Sequence, residues 1–516
     1  MEEISSNKKI AKNTLFMYFR MALITVVGLY TSRVILNALG VEDYGIYHVA
    51  GSVVAMFSFL NGALANSSSR FLTVELGKTG TDKIEQLTRC FTTTRGIHGL
   101  LAIAIFIIAE TVGLWFLHTQ CEIPEARMDA AGWVYQISIV TAVLTITLVP
   151  YNALIVAHEH MNVYAYIGIL DAFLKLGICY LIKHSPIDRL IYYALLLFCI
   201  QILNNLYNRI YCKKHFAECS LKYSLDKQFL KPILSFTGWN LIGSFSTMTL
   251  AQGATLMVSA FFGPAIVTAR AIASQLRNYL FQFINSFRTA VTPQIIKRDA
   301  SGDYRGSSGL LFFSTKITFY LTLVIVLPFL LETDYILRLW LKNVPEYAVA
   351  FVRLSLVEIL FFVYDISFYT IFQAKGRLKE NALISPVLDI VAFVSVALVY
   401  KAGGSLLAIG WAMVILFFVH GVIVKPFLAV RLFKCRWIDF IQTFFRTFTV
   451  LLASSIIPFI LYRSLDEEGK KHIIVIIVSI VCVPIASYMF GITRKEKNLL
   501  KEGLAHVMKR YQNKIN

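Results

Sequence analysis

Charge is scarce in this chain. Only 16% of its 516 residues are Asp, Glu, Lys or Arg, whereas soluble domains carry about 25%, and no stretch is polar enough to form a separate water-facing domain. Paired cysteines are missing too. The eight cysteines are scattered without a CxxC, and Cys212 and Cys219 share one loop at the wrong spacing, with no His partners for zinc. The pattern gives neither a disulfide framework nor a metal site. His158-Glu159-His160 sets its two histidines on diverging sides of a helix, unlike a zinc pair. There is no GxxxxGK[ST] loop, so nothing points to ATP hydrolysis or to any other cofactor chemistry. No small-residue cleavage site follows the apolar run from Leu15 to Leu39. That run, preceded by Lys8, Lys9 and Lys12, therefore reads as a retained membrane helix and not as a signal peptide. These absences exclude a secreted or soluble enzyme.

What fills the space is apolar: 57% of the residues are hydrophobic. They gather into about fourteen segments, each near the ~20 residues a bilayer needs. The first runs over 13–38 and the second over 45–68; the seventh (232–261) and eighth (265–290) are interrupted by Thr, Ser, Gln and Asn. The tenth covers 347–373, the twelfth 404–430, and the last two 438–462 and 472–491. This predicts an all-α integral membrane protein. Its net charge of +18 would suggest nucleic acid in a soluble protein. In a membrane chain it reads as loop Lys and Arg that fix orientation and touch anionic lipid, with no nucleic-acid partner. Basic residues crowd alternate loops, among them Lys213, Lys214, Lys222, Lys227, Lys297, Arg298, Lys375, Arg377 and the tail from Arg494 to Lys514. The opposite side holds few, such as Arg127, Lys183 and Arg338. Both termini are therefore expected in the cytoplasm.

A weak internal repeat runs through the pattern. Ala38-Leu39-Gly40 followed by Val41 to Ala50 lies over Phe261-Phe262-Gly263 followed by Pro264 to Ala273 at a constant offset. Equal sidedness of the loops makes this a parallel repeat, related by an axis along the membrane normal. The expected organisation is an N-lobe of six helices (1–213), a basic linker (214–231), a C-lobe of six (232–436), two extra spans (437–492) and a basic tail (493–516).

The ionisable residues inside the spans carry the functional argument. Each Arg or Lys at a helix centre costs about 2.5–3.5 kcal/mol on insertion scales, so such residues face water, a partner or a helix end. In the eighth span Arg270, Ser274, Arg277, Phe281, Asn285 and Arg288 recur at three- and four-residue steps and form one helical stripe. That suits the wall of a cationic cavity, unless Arg270 and Arg288 snorkel to the two surfaces and leave Arg277 alone. In the first span Arg33 shares a face with Tyr30 and Asn37, while Arg20 lies near the inner end. Asp171 and Lys175 are an i,i+4 pair in the fifth span. Glu358 and Asp365 share a face of the tenth, and Asp389 lies within the eleventh. Such carboxylates are candidates for proton or sodium coupling, and pairing with a membrane arginine explains them equally well.

The segment from Arg33 to Tyr47 (RVILNALGVEDYGIY), with Ala269-Arg270-Ala271-Ile272-Ala273 and Thr292-Pro293-Gln294, resembles the bacterial lipopolysaccharide and capsule flippases. These form the polysaccharide-exporter branch of the superfamily that also contains the multidrug exporters. The fourteen-span layout extends the likeness over essentially the whole chain. The resemblance implies two six-helix lobes plus two C-terminal helices. It also implies movement of a lipid-diphosphate-linked oligosaccharide between leaflets, without enzymatic chemistry and in company with polysaccharide-assembly proteins. Arg33, Arg270, Arg277 and Asn285 would then meet the diphosphate, because arginine grips phosphate oxygens through a planar fork. A cation-coupled multidrug exporter would want acidic groups there instead. A membrane glycosyltransferase or polysaccharide polymerase would want a long outer loop with catalytic carboxylates.

Overall fold

The computed structural model describes residues 23–493, apart from 57, 78–81, 159, 220–224, 375–377, 434 and 466–469, together with 496–497. Arg20, part of the expected linker and most of the expected basic tail lie outside the described residues. Among the described residues the chain is helical with no strand. In order come α1 (Leu23–Leu39), α2 (Val41–Ala55), α3 (Ser58–Gly77), α4 (Ile84–Thr119), α5 (Glu125–Ala157), α6 (Met161–Leu181), α7 (Arg189–His215) and α8 (227–262). Then follow α9 (264–300), α10 (Tyr304–Leu331), α11 (Thr333–Leu341), α12 (Ala348–Ala374), α13 (Leu378–Lys401), α14 (Ala408–Arg431), α15 (Trp437–Ser464) and α16 (Lys470–Gly491). Residues 13–22 of the first apolar segment lie outside the described residues; otherwise the apolar segments read from the sequence fall largely on helices, with 45–68 divided between α2 and α3 and the short α11 an addition. Nine helices among the described residues are long and apolar enough to cross a membrane, or ten if α1 and α2 count as one bent span. Ile103, Val112 and Trp115 on α4, and Ile456 and Ile460 on α15, are all more than half exposed. Apolar faces of that extent are covered by hydrocarbon and not by water, and a helix is the element that satisfies its own backbone there.

The chain divides into two compact units. The first gathers the described residues through Ala271 with Trp340–Ala348 and Ser385–Leu406; the second holds Ile272–Leu339, Val349–Ile384 and the described residues from Leu407 onward. In the first unit α5 is the hub, packed against α2, α3, α4 and α7. Its buried residues, from Ala130 and Tyr135 to Leu154 and Ile155, occur on every side of the helix, as expected of a helix enclosed by others.

Two backbone breaks shape this unit. Gly40 has φ 84° and ψ 172°, and α1 and α2 diverge there by 115°. Gly263, between α8 and α9, has φ 78° and ψ 175°. This corner of conformational space is open essentially to glycine alone. The two positions that the sequence repeat aligns therefore share one backbone device, which turns one helix into the next without a loop. Close packing backs it up. A Cβ on Gly45 would run into the backbone of Pro264, and Thr268 Oγ1 donates to the Val41 carbonyl at 2.6 Å.

Beside these breaks Arg127, in the first turn of α5, binds two carboxylates at once. Its Nε and Nη2 reach Asp43 Oδ1 and Oδ2 at 2.7 and 2.6 Å, and its Nη1 reaches Asp188 Oδ2 at 2.6 Å. Asp188 also caps α7 by accepting from the amides of Leu190 and Ile191 at 3.0 and 3.3 Å. One guanidinium thus ties together α2, α5 and the start of α7, in the fork geometry that lysine lacks.

The second unit is closed by polar contacts in a mostly apolar setting. Lys316 Nζ on α10 meets both oxygens of Glu496 at 2.6 and 2.8 Å, and Glu332 accepts from or shares a proton with His472 Nδ1 at 2.6 Å. Tyr364 on α12 hydrogen-bonds Thr447 on α15. Four π-turns interrupt the described helices: Ala109–Gly113, Thr249–Gly253, Val419–Val424 and Ser487–Gly491. Each contains a glycine into which a neighbour is packed. A Cβ on Gly421, for example, would lie 2.8 Å from the Phe361 carbonyl oxygen and 2.9 Å from the Asp365 amide nitrogen. A π-turn widens the helix and re-aims its carbonyls, and that of Ala109, which takes the Leu114 amide, also accepts from Tyr135 Oη at 2.7 Å.

Two measurements check this account. Gly40→Ala and Gly263→Ala should each lower stability by about 1–3 kcal/mol, read as a lower thermal midpoint in detergent. Gly132→Ala, where a Cβ meets nothing within 4 Å, should be neutral or slightly stabilising. The second concerns acid. The bond from Arg127, opposed by burial, holds the Asp188 carboxyl below its usual pKa. A depressed carboxylate stabilises the fold above its unfolded pKa of about 4 and loses that contribution as pH falls through the depressed value. The Asp188 contribution should therefore be lost on the acid side of about pH 4, partly offset by Asp43, whose carboxyl pKa is raised by burial. An Arg127→Gln variant should show a weaker acid-side loss; an unchanged acid profile would refute the linkage.

Candidate functional site: charges held inside the helices

The stripe of α9 is realised as two local environments. In the first unit Arg270 Nη1 donates to Thr255 Oγ1 at 2.5 Å and Nη2 approaches the Ala251 carbonyl at 3.5 Å. Ala251 belongs to the π-turn Thr249–Gly253, so the turn sets a carbonyl where the guanidinium can use it. Arg33 is half-buried on α1. One turn on, Asn37 Nδ2 donates to the Arg33 carbonyl at 2.7 Å and to the Leu341 carbonyl at 3.1 Å. Asp389, only 7% exposed, accepts from Ser246 Oγ at 2.7 Å. Asp171 pairs with Lys175 at 2.8 Å along α6, as the i,i+4 spacing predicts, and accepts from Asn204 Nδ2 at 3.1 Å.

In the second unit the ionisable groups form a chain along α12. Arg277 Nε meets Glu358 Oε1 at 2.5 Å. Its guanidinium lies over the rings of Phe362 and Phe417, 5.7 and 5.4 Å from their centroids. Two turns further along α12, Asp365 Oδ1 receives Lys425 Nζ at 2.6 Å and faces His420 Nδ1 at 3.6 Å. Next comes Tyr369, whose ring lies under both Lys425 Nζ at 5.8 Å and the Arg288 guanidinium at 5.9 Å. Arg288 in turn donates to Asn285 Oδ1 through Nε and Nη2 at 3.1 and 2.9 Å. Glu358, Asp365, His420 and Lys425 are all under 8% exposed. Both His420 and the close-packed Gly421 lie in the π-turn Val419–Val424. That turn brings the α14 backbone against α12 and aims the imidazole at Asp365.

The chemistry follows from the donor set. An isolated ion in a dry interior is prohibitively costly, while a charge-assisted pair with good geometry offsets most of that cost. The aromatic faces add cation–π attraction, worth ~0.5–2 kcal/mol each. The chain along α12 comprises three cations, Arg277, Arg288 and Lys425, and two carboxylates, Glu358 and Asp365, with His420 beside Asp365.

Of the residues singled out from the sequence, Arg277 is brought to Glu358, and Asn285 to Arg288. Asp365 is brought to a partner the sequence reading did not single out. Lys425 and His420 were missed because Lys425 sits near one end of its span, where a basic residue normally snorkels to the surface. The signal was its place inside the apolar run, five residues from a histidine. Arg127 was missed as a binder of carboxylates because it was counted only as a loop charge. Arg353, on α12, donates to Thr333 Oγ1 at 3.4 Å. Among the described residues no group of three or more His, Cys, Asp or Glu is arranged to hold a metal.

Helices that satisfy their own backbones, apolar outer faces and charges held within the span make this a multi-pass membrane protein. Solved structures share its fold. The lipid II flippase MurJ in its inward closed conformation superposes with a TM-score of 0.68 at 14% identity, over 93% of this chain and 98% of its own. An inward-facing multidrug resistance MATE family transporter of the MOP superfamily gives 0.60 at 14% identity, over 84% and 94%. A MOP superfamily transporter from Pyrococcus furiosus, described by a binding pocket of reverse polarity, gives 0.54 at 14%, over 85% and 96%. No curated protein matches in sequence. The chain belongs to the polysaccharide biosynthesis protein family, whose signature it matches over residues 10–299.

The pair of Arg277 and Glu358 is the most exacting test of this site. Arg277→Ala strands a buried carboxylate and should cost roughly 3–5 kcal/mol, visible as a lower thermal midpoint and reduced abundance in the membrane. Arg277→Gln combined with Glu358→Gln should recover most of the loss. Equal stability of Arg277→Ala and wild type would show that the pair contributes nothing.

Proposed function

We propose that this protein is a flippase that moves a polyprenyl-diphosphate-linked oligosaccharide from the cytoplasmic to the outer leaflet for lipopolysaccharide or capsule synthesis. The observation that carries the reading is a basic stripe on an intramembrane helix, α9, in a chain of the polysaccharide biosynthesis family. A diphosphate crossing a bilayer needs a cationic partner at every depth, and arginine provides charge together with two parallel donors. Arg270 and Arg33 are the proposed diphosphate contacts, with Asn285 as a neutral donor further along. Arg277, held by Glu358, supplies fixed positive charge and orients its neighbours. The likeness to MurJ, a lipid II flippase by name, agrees with a lipid-linked substrate. The basic character of α9 disfavours export of organic cations, although the fold is shared with MATE transporters.

The cycle in this proposal is alternating access by the N-lobe (1–213) against the C-lobe (232–436), in a bacterial inner membrane, with both termini cytoplasmic. Asp171, Glu358, Asp365 and Asp389 are the proposed positions for proton or sodium coupling. Asp365 is foremost among them, because its Oδ1 meets an ammonium at 2.6 Å with an imidazole nitrogen 3.6 Å away. Membrane lipids and polysaccharide-assembly proteins are the expected partners.

Deleting the gene should make lipid-linked oligosaccharide accumulate on the cytoplasmic leaflet. In a complemented strain Arg270→Ala should cut surface glycan more than tenfold at normal protein abundance, and Arg270→Lys should restore part of it. Normal export by Arg270→Ala would remove the diphosphate role, and an unaltered leaflet distribution in the deletion strain would remove the flippase reading.

A further inference from the structure

The first unit contains a cavity of about 260 Å³ between α2, α5 and α7, lined by residues that include Tyr47, Gly51, Ser138, Thr141, Thr145 and Ala194. It is just below the ~300 Å³ at which drug-sized pockets begin, and has room for roughly eight waters at ~30 Å³ each. None of its described lining residues carries a formal charge, in contrast to the arginine stripe.

Three features of its wall define what it can hold. Ser138, Thr141 and Thr145 recur at three- and four-residue spacing and so present one face of α5. Each spends its hydroxyl proton on its own helix, donating to the carbonyls of Val134, Ile137 and Thr141 at 2.8, 2.7 and 2.8 Å. The oxygens therefore offer acceptor lone pairs and no donor, and Gln201 Nε2 on α7 already uses one, on Thr145, at 3.1 Å. Gly51 completes the wall. A Cβ there would meet nothing within 4 Å, so helix packing does not require this glycine, which costs ~1 kcal/mol relative to alanine inside a helix. Its effect is to keep volume open.

A neutral, mostly apolar wall that carries a row of hydroxyl acceptors suits an occupant with both an apolar face and donors. A prenyl chain gains little by entering, since lipid tails are as apolar as the wall. A sugar ring gains much more, because each of its hydroxyls loses water inside the bilayer and costs several kcal/mol unless it finds an acceptor. Resting on the flippase reading above, we infer that this cavity is a subsite for one uncharged sugar ring of the lipid-linked substrate, whose hydroxyls donate to Ser138, Thr141 and Thr145. It separates recognition of sugar from the arginines' recognition of diphosphate.

The test is binding of two probes to the full-length purified protein in lipid nanodiscs: polyprenyl diphosphate, and the same lipid carrying one N-acetylhexosamine. Wild type should bind the sugar-bearing probe at least tenfold tighter. Gly51→Leu, which places a bulky side chain in the cavity, and Thr141→Val, which keeps the shape and removes the acceptor, should each erase most of that preference and leave the bare diphosphate affinity unchanged. Equal affinity of wild type for both probes, or a preference that survives in both variants, would overturn the subsite and leave the flippase reading standing. Failure of wild type to bind either probe would overturn both.

Discussion

A charge carried into hydrocarbon has to bring its compensation with it, and much of this structure follows from that constraint. Glu358, Asp365 and Lys425 are almost fully buried, where an unpaired ion would cost more than a whole domain's net stability. Each is met by an opposite charge at 2.5–2.6 Å. These pairs stabilise the fold chiefly in the sense that breaking one is costly; apolar residues of the same shape would hold α9, α12 and α14 together as well or better. The cost of ionisation inside the span is then met by pairing, stacking on Phe362, Phe417 and Tyr369, and short contacts to the backbone.

Backbone geometry is what brings the partners within reach. Irregular turns re-aim helix carbonyls, and several intramembrane polar groups are found at them. Arg270 finds the Ala251 carbonyl in one π-turn, Tyr135 finds that of Ala109 in another, and His420 is carried toward Asp365 by a third. In the third, Gly421 allows α14 to approach the α12 backbone closely enough for Lys425 and Asp365 to meet. The two glycines with positive φ act on a larger scale. Gly40 and Gly263 replace loops with corners, fixing where α2 and α9 begin and so where their polar faces lie.

Unit 1 and unit 2 handle polarity differently. Unit 2 concentrates ionised groups around α12. Unit 1 spreads its polar groups: a guanidinium bound by two carboxylates at Arg127, a hydroxyl–carboxylate contact at Asp389, and a neutral cavity beside the hydroxyl stripe of α5.

The sequence alone determined the class: apolar runs of bilayer length, separated by basic loops, leave no other solution than a bundle of membrane helices. It also carried the repeat around Gly40 and Gly263, because a positive φ constrains residue type locally. The Asp171–Lys175 pair was legible for the same reason, since i,i+4 neighbours meet within one helix. Partners far apart in the chain were not. Nothing in the spacing of Arg277, Glu358, Asp365 and Lys425 states which cation meets which carboxylate, and that was decided by the packing of α9, α12 and α14. Arg127 reads as an ordinary loop charge until α2 and α7 bring Asp43 and Asp188 to it. The cavity at Gly51 is least legible of all, because a void is a property of three helices together: local sequence fixes what each helix is, and only tertiary packing fixes what lies between them.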